Sequence, residues 1–144
     1  MGIVFYLGNV VVRKFRVSAA FTIGHEKIDS DHAELIDMLN DMIDAVVAND
    51  LHSMEGKGQA FHERLKRHFI EEENIMKGFG FVDKNHFQLY NDVLVKIQQK
   101  CESCKSIEDW QDCILEMGGN LMSWVLKNDL KFAEHLVTMG YNKS

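Results

Sequence analysis

The segment HFIEEENIMKGFGFVDKNHFQLY, His68 to Tyr90, decides the fold. It ends one helical pattern and begins the next across KGFG, where Gly78 and Gly80 are natural helix stops. On each side of that break a histidine stands four residues before a second polar group: His68 before Glu72, His86 before Tyr90. Four residues turn an ideal helix by about 40°, so both members of a pair reach one point. Both pairs also lie on apolar stripes. Phe61, Leu65, Phe69 and Met76 share the face of His68 and Glu72; Val93, Leu94 and Ile97 share that of His86 and Tyr90.

The same period extends outward. Ser30 or Asp31 can cap a first helix, whose stripe is His32, Leu35, Ile36, Leu39, Met42, Ile43 and Val46. ANDLHS breaks it, with Asn49 and Asp50 as turn formers. The second helix is expected from about Ser53 to Met76 and the third from about Asp83 to Cys101. ESCKSIED is the next break. A fourth helix is expected from near Ser106 to about Met139, with Ile114, Gly118, Leu121, Val125, Asn128 and Phe132 inward; Gly118-Gly119 marks a close contact or an irregularity. Helices of roughly 18–30 residues joined by short links predict an all-α protein, an antiparallel up-down four-helix bundle at residues 21–144.

Composition agrees. The chain has 144 residues, enough for one domain, 46% of them hydrophobic, and no proline to interrupt long helices. A formal charge of −6 argues against nucleic-acid binding. The apolar N-terminal run is too short to span a bilayer, and Arg13, Lys14 and Arg16 follow it rather than precede it as in a signal peptide. Residues 1–20 are expected to form an arm that packs on the body or on a partner, including a second copy. Three cysteines, Cys101, Cys104 and Cys113, suit a reducing cytoplasm. No second pair completes a zinc site with Cys101-x-x-Cys104, which reads as incidental thiols near a helix end.

The polar residues on the inward stripes are His32, His68, Glu72, His86, Tyr90 and Asn128. Burying them costs several kcal/mol each unless they are paired or bound, so they point to one shared interior site. Imidazole with carboxylate suits non-haem iron, and two histidines with one carboxylate are the iron(II) facial triad; manganese and zinc are rivals.

With these residues in view the chain resembles the hemerythrin family in its bacterial form, over about residues 21–139. IGHEKIDSDH is similar to the family's I-D-x-x-H entry to the first helix, ending at His32. HFIEEENIM matches H-F-x-x-E-E-x-x-M through His68 and Glu72. GFVDKNHFQLY stands where the family has H-x-x-x-H, and WVLKNDLKFAEHL where it has W-L-x-x-H-I-x-x-x-D. The resemblance implies a four-helix bundle and dioxygen binding at a di-iron centre held by five histidines and two bridging carboxylates.

The chain departs from that set. His32, His68, Glu72 and His86 match, but Tyr90, Asn128 and Ala133 replace two histidines and the aspartate. The implied metal residues are therefore His32, His68, Glu72, His86 and Tyr90, with one iron per chain favoured at His32, His68 and Glu72, and two or none as alternatives. Tyr90 could serve as a phenolate ligand. Glu134 is the candidate for the missing carboxylate, although its helical phase points it elsewhere; His135 is a weaker substitute, and His25, His52 and His62 read as surface residues. The expected function is binding or sensing of dioxygen, another diatomic ligand or redox state, with no catalysis. The alternative is a metal-free scaffold for interaction or signalling, in which Tyr90 and Asn128 fill the cavity with hydrogen bonds.

Overall fold

The computed structural model describes residues 4–7, 10–16, 22–124 and 128–141, with side chains from residue 14 onward. The expected inward position of Val125 and the rest of the arm lie outside these residues. The helical expectation holds for the body and needs correction at the arm. Strands β1 (Val4–Leu7) and β2 (Val10–Arg13) pair antiparallel, Val4 opposite Arg13 and Leu7 opposite Val10. The arm then docks on the body. Phe15 exchanges two hydrogen bonds with the Asn40 side chain: its N–H donates at 2.7 Å and its carbonyl accepts at 2.9 Å.

Helix α1 (Glu26–Val47) starts earlier than expected. His25 is its N-cap, with Nδ1 accepting from the Ile28 N–H at 3.4 Å. The Asp29 carboxylate accepts from the N–H groups of Ile23 and Gly24 at 2.8 and 3.1 Å. Ser30 and Asp31 are thus inside the helix, and Asp31 is buried. Asp50 caps α2 (Leu51–Gly78) through the Ser53 N–H at 3.3 Å; α2 gives way to Gly80 at a φ of +74°, open to glycine at little cost. Asp83 caps α3 (Lys84–Glu102) through the His86 N–H at 3.1 Å.

The expected fourth helix is interrupted. Helix α4 runs Ile107–Trp124 and α5 runs Leu130–Thr138. Asn128 and Asp129 between them adopt the wider π-helical turn. Such a turn advances one extra residue, so every position after it changes face.

Helix α1 packs on α2 and α4, and α3 packs on the same two. The larger apolar cluster contains Leu35, Leu39, Met42, Phe61, Leu65, Ile114 and Leu121; a smaller one joins Ile23, Ile28, Met76, Phe132 and Leu136. Along α1 the order is Ile28, His32, Leu35, and along α2 it is Leu65, His68, Glu72, Met76. Buried polar groups therefore fill the level between two apolar layers. Gly118 does mark a close contact. A Cβ there would overlap the Phe15 ring, so the missing side chain makes room for the arm. Among the described residues no helix is long and apolar enough to cross a membrane.

Candidate metal centre

Four elements each deliver a buried donor to the polar level: His32 from α1, His68 and Glu72 from α2, His86 from α3, and Asp129 from the turn before α5. They form two clusters, His32–His68–Glu72 and Glu72–His86–Asp129, whose ligand atoms lie within 4.8 Å of one another in each. Glu72 belongs to both. Its Oε2 is 2.5 Å from His68 Nε2 and 3.6 Å from His32 Nε2. Its Oε1 is 3.7 Å from His86 Nε2. Asp129 spans the same gap, with Oδ2 3.3 Å from His32 Nε2 and Oδ1 3.3 Å from His86 Nε2.

These are ion-pair distances without hydrogen-bond alignment. Buried His68 Nε2, Glu72 Oε2 and both Asp129 oxygens lack a hydrogen-bond partner. Leaving such atoms unpaired costs about 1–3 kcal/mol each, more when charged. The far side of the His68 ring explains what is missing. Its Nδ1 is 3.0 Å from Asp31 Oδ2, where it can only donate. In a neutral imidazole, Nε2 then presents a lone pair to the Glu72 carboxylate, acceptor against acceptor. A proton or a metal ion resolves that clash, and imidazole–carboxylate donor sets suit divalent first-row metals. The residues present fit such an ion.

Asp31 is the orienting partner, and it is itself held. Its Oδ1 accepts from Arg64 Nη2 and Lys27 Nζ, both at 2.8 Å, and Arg64 also reaches Glu34 at 2.8 Å. Burial opposes ionisation of Asp31, but His68, Lys27 and Arg64 together hold its carboxyl well below the usual range. A fixed carboxylate behind a ligating histidine sets its tautomer and raises its basicity.

With no metal bound, protons take up the charge. Burial lowers the His32 imidazole, but Asp129 and Glu72 outweigh it and raise its pKa to about 10. The same two carboxylates overcome burial at His86 and raise it to about 9. His68 is also raised, by Asp31 and Glu72 against burial. Glu72 stays ionised despite complete burial because three imidazoles face it. Burial and the nearby Glu72 charge push Asp129 up.

Tyr90 lies at the edge of the centre. Its hydroxyl donates to Glu72 Oε1 at 2.7 Å and lies 2.9 Å from His86 Nε2. Its ring stacks on Phe69, centroids 4.2 Å apart, with Trp124 at 4.9 Å. Burial, with Glu72 and Asp129, raises its pKa, so the phenol stays neutral without a metal.

The structure brings together His32, His68, Glu72, His86 and Tyr90, all singled out in the sequence. It does not bring in Asn128, which is half-buried and lines a separate cleft with Trp124, Asn120 and Ser123. Ala133 packs in the smaller apolar cluster. Glu134 is exposed, and its backbone carbonyl accepts from Thr138 Oγ1 at 3.0 Å. His135 Nε2 donates to the Phe79 carbonyl at 2.6 Å and His62 Nε2 to that of Leu94 at 3.1 Å, while His25 caps α1 and stacks on Tyr141. His25 and His62 are thus structural rather than idle surface groups; His52 is exposed. Two residues escaped sequence reasoning, Asp129 and Asp31. Asp129 carries the second carboxylate that a continuous α-helix would have pointed elsewhere.

No protein-family model matches the chain, and no curated protein matches its sequence.

Proposed function

We propose that this chain is a hemerythrin-like protein, an antiparallel four-helix bundle that binds non-haem iron for oxygen or redox sensing or binding. The observation that carries this is the pair of buried carboxylates, Glu72 and Asp129, each with one oxygen toward either cluster and three of those four oxygens lacking hydrogen bonds. The one-iron expectation rested on three departures, Tyr90 and Asn128 in place of histidines and Ala133 in place of the aspartate, which leave the second half-site only His86. Asp129 supplies the aspartate's charge from another position, so the geometry favours two ions per chain.

In this reading His32 and His68 would hold one ion and His86 the other, with Glu72 and Asp129 as the carboxylate donors available to them. Bound iron supplies the electrons for chemistry with dioxygen or another diatomic ligand. The chain's own residues do the rest. Asp31 fixes the His68 ring so that Nε2 is turned toward Glu72, where it would be available to an ion. Phe69, Trp124 and Tyr90 form an aromatic wall that keeps water from the His86 side. The Tyr90 hydroxyl oxygen stands 2.7 Å from Glu72 Oε1 and directs its proton at that carboxylate, sharing it as the charge there changes. Nothing in this machinery presents a nucleophile, so binding or sensing is favoured over catalysis. The docked arm offers a route to a protein partner, and three free thiols fit a reducing compartment.

The metal-free reading draws on one observation, the run of contacts from His86 through the Tyr90 hydroxyl to Glu72. It leaves both Asp129 oxygens without a hydrogen bond. Elemental analysis after anaerobic loading with Fe(II) separates the two. About two irons per chain, lost in His68→Ala and Glu72→Ala, is the expected result. No iron after reconstitution sinks the metal reading, and one iron restores the mononuclear alternative.

A further inference from the structure

Fifteen residues beyond His86 along α3, about 22 Å at 1.5 Å per residue, lies a second donor cluster made of sulfur. Cys101 is in the last turn of α3; Cys113 and Met117 are four residues apart on α4, so both face it. Cys101 Sγ is 3.9 Å from Cys113 Sγ and 4.0 Å from Met117 Sδ. Cys113 and Met117 are buried, and Cys101 is half-buried with its thiol free. Gly58 makes room for the neighbouring Trp110 ring, which a Cβ there would approach to 2.9 Å. On the outer side Cys101 and Cys104 line a surface cleft of about 320 Å³ with Glu55, Glu102 and Lys105, which gives solvent access.

We propose that Cys101, Cys113 and Met117 bind one soft monovalent cation, Cu(I), at a site separate from the histidine–carboxylate centre. The spacing supports it. A metal–sulfur bond of about 2.3 Å in trigonal coordination sets the ligand sulfurs about 4.0 Å apart, √3 times the bond. The Cys101–Cys113 and Cys101–Met117 edges, 3.9 and 4.0 Å, match that value. The donors select the ion: thiolate with thioether favours Cu(I), whereas structural zinc takes four ligands from thiolate, imidazole and carboxylate. Binding replaces two thiol protons by one cation, both protons leave to solvent, and no electron is transferred because copper enters already reduced. Hydrogen bonding within the pair lowers the Cys101 thiol and, with burial, raises that of Cys113, so the Cys113 proton leaves only in exchange for the cation. Cys104 lies beside Cys113 but is assigned outside the set because its thiol donates to the Lys100 carbonyl at 3.2 Å.

The test uses the full chain, reduced and iron-free, titrated anaerobically with Cu(I) against a chromogenic Cu(I) chelator. The expected result is one copper withheld from the chelator per chain, with X-ray absorption showing sulfur neighbours at about 2.3 Å. Cys101→Ser and Cys113→Ala abolish this retention, and Met117→Leu weakens it. Cys104→Ser retains it. Helical circular dichroism and unchanged iron uptake confirm that the variants fold. Copper held equally by wild type and Cys101→Ser, nitrogen neighbours in place of sulfur, or loss of binding in Cys104→Ser would each overturn the assignment.

Discussion

Asp129→Asn tests the centre at the position that the wide turn creates. The substitution keeps shape and removes one charge. In the native chain Asp129 places one oxygen 3.3 Å from His32 Nε2 and the other 3.3 Å from His86 Nε2, with no exposure to water. The His32–His68–Glu72 cluster loses none of its own members, whereas the Glu72–His86–Asp129 cluster falls from three to two. Loss even of a supporting partner behind a ligand lowers metal affinity about 10–100-fold. That is about 1.4–2.7 kcal/mol, and a lost ligand exceeds it. The expected outcome is a drop from about two irons per chain to about one, read by elemental analysis after anaerobic Fe(II) loading and desalting. Asn128→Ala and Glu134→Ala, one residue before and five after, keep the full content because neither side chain reaches the centre. The metal-free protein is also destabilised by about 3–5 kcal/mol, the scale for removing one partner from a buried ion pair, read by urea unfolding. Full iron in Asp129→Asn, or a loss in Asn128→Ala instead, would show that the helix runs on in α register and that Asp129 is no ligand.

Other perturbations separate the supporting features. Asp31→Asn loosens the His68 tautomer and leaves buried Arg64 short of an anion, so iron affinity falls about 10–100-fold and stability by about 1–3 kcal/mol, read by competitive chelation and denaturant midpoint. Gly118→Val drives the Phe15 ring from α4 at a cost of about 1–3 kcal/mol and makes the arm more sensitive to limited proteolysis. Gly119→Ala, exposed and with nothing near its added methyl, is neutral or gains up to about 1 kcal/mol. His32 and His86 have folded pKa values raised to about 10 and about 9, so their contribution to metal-free stability is complete below about pH 6.5 and is lost as pH rises through 9 and 10. Their protons also compete with metal, so iron affinity rises over that window, and pH-resolved unfolding of loaded and unloaded protein reads both signs.

Most of the centre was legible because α1, α2 and α3 are regular. On a regular helix a polar residue at a three- or four-residue step from apolar neighbours must face inward, and His32, His68, Glu72, His86 and Tyr90 all do. Asp129 was hidden by the same rule. Counted at 100° per residue from Ile114 and Leu121, the inward position is Asn128, and only the π-helical turn moves it on by one. Asp31 was misread for a related reason: Ser-Asp before an apolar run is a capping signal, but here Asp29 and His25 serve the helix start. Two clues were available, Lys27 four residues before Asp31 and Arg64 four before His68. The hairpin also had a signature, two β-rich runs separated by Gly8-Asn9, which the search for helical period passed over.

Glu72 contributes an oxygen to each cluster, and that sharing governs how the centre would fill. Two ions held this way are not independent: the first fixes the carboxylate's orientation and spends part of its charge, and the second meets an altered ligand. Whatever factor occupancy of the His32 side imposes on affinity at the His86 side, thermodynamic reciprocity imposes the same factor in return. The loading curve would therefore carry one coupling constant, set by Glu72 together with Asp129, which also faces both His32 and His86.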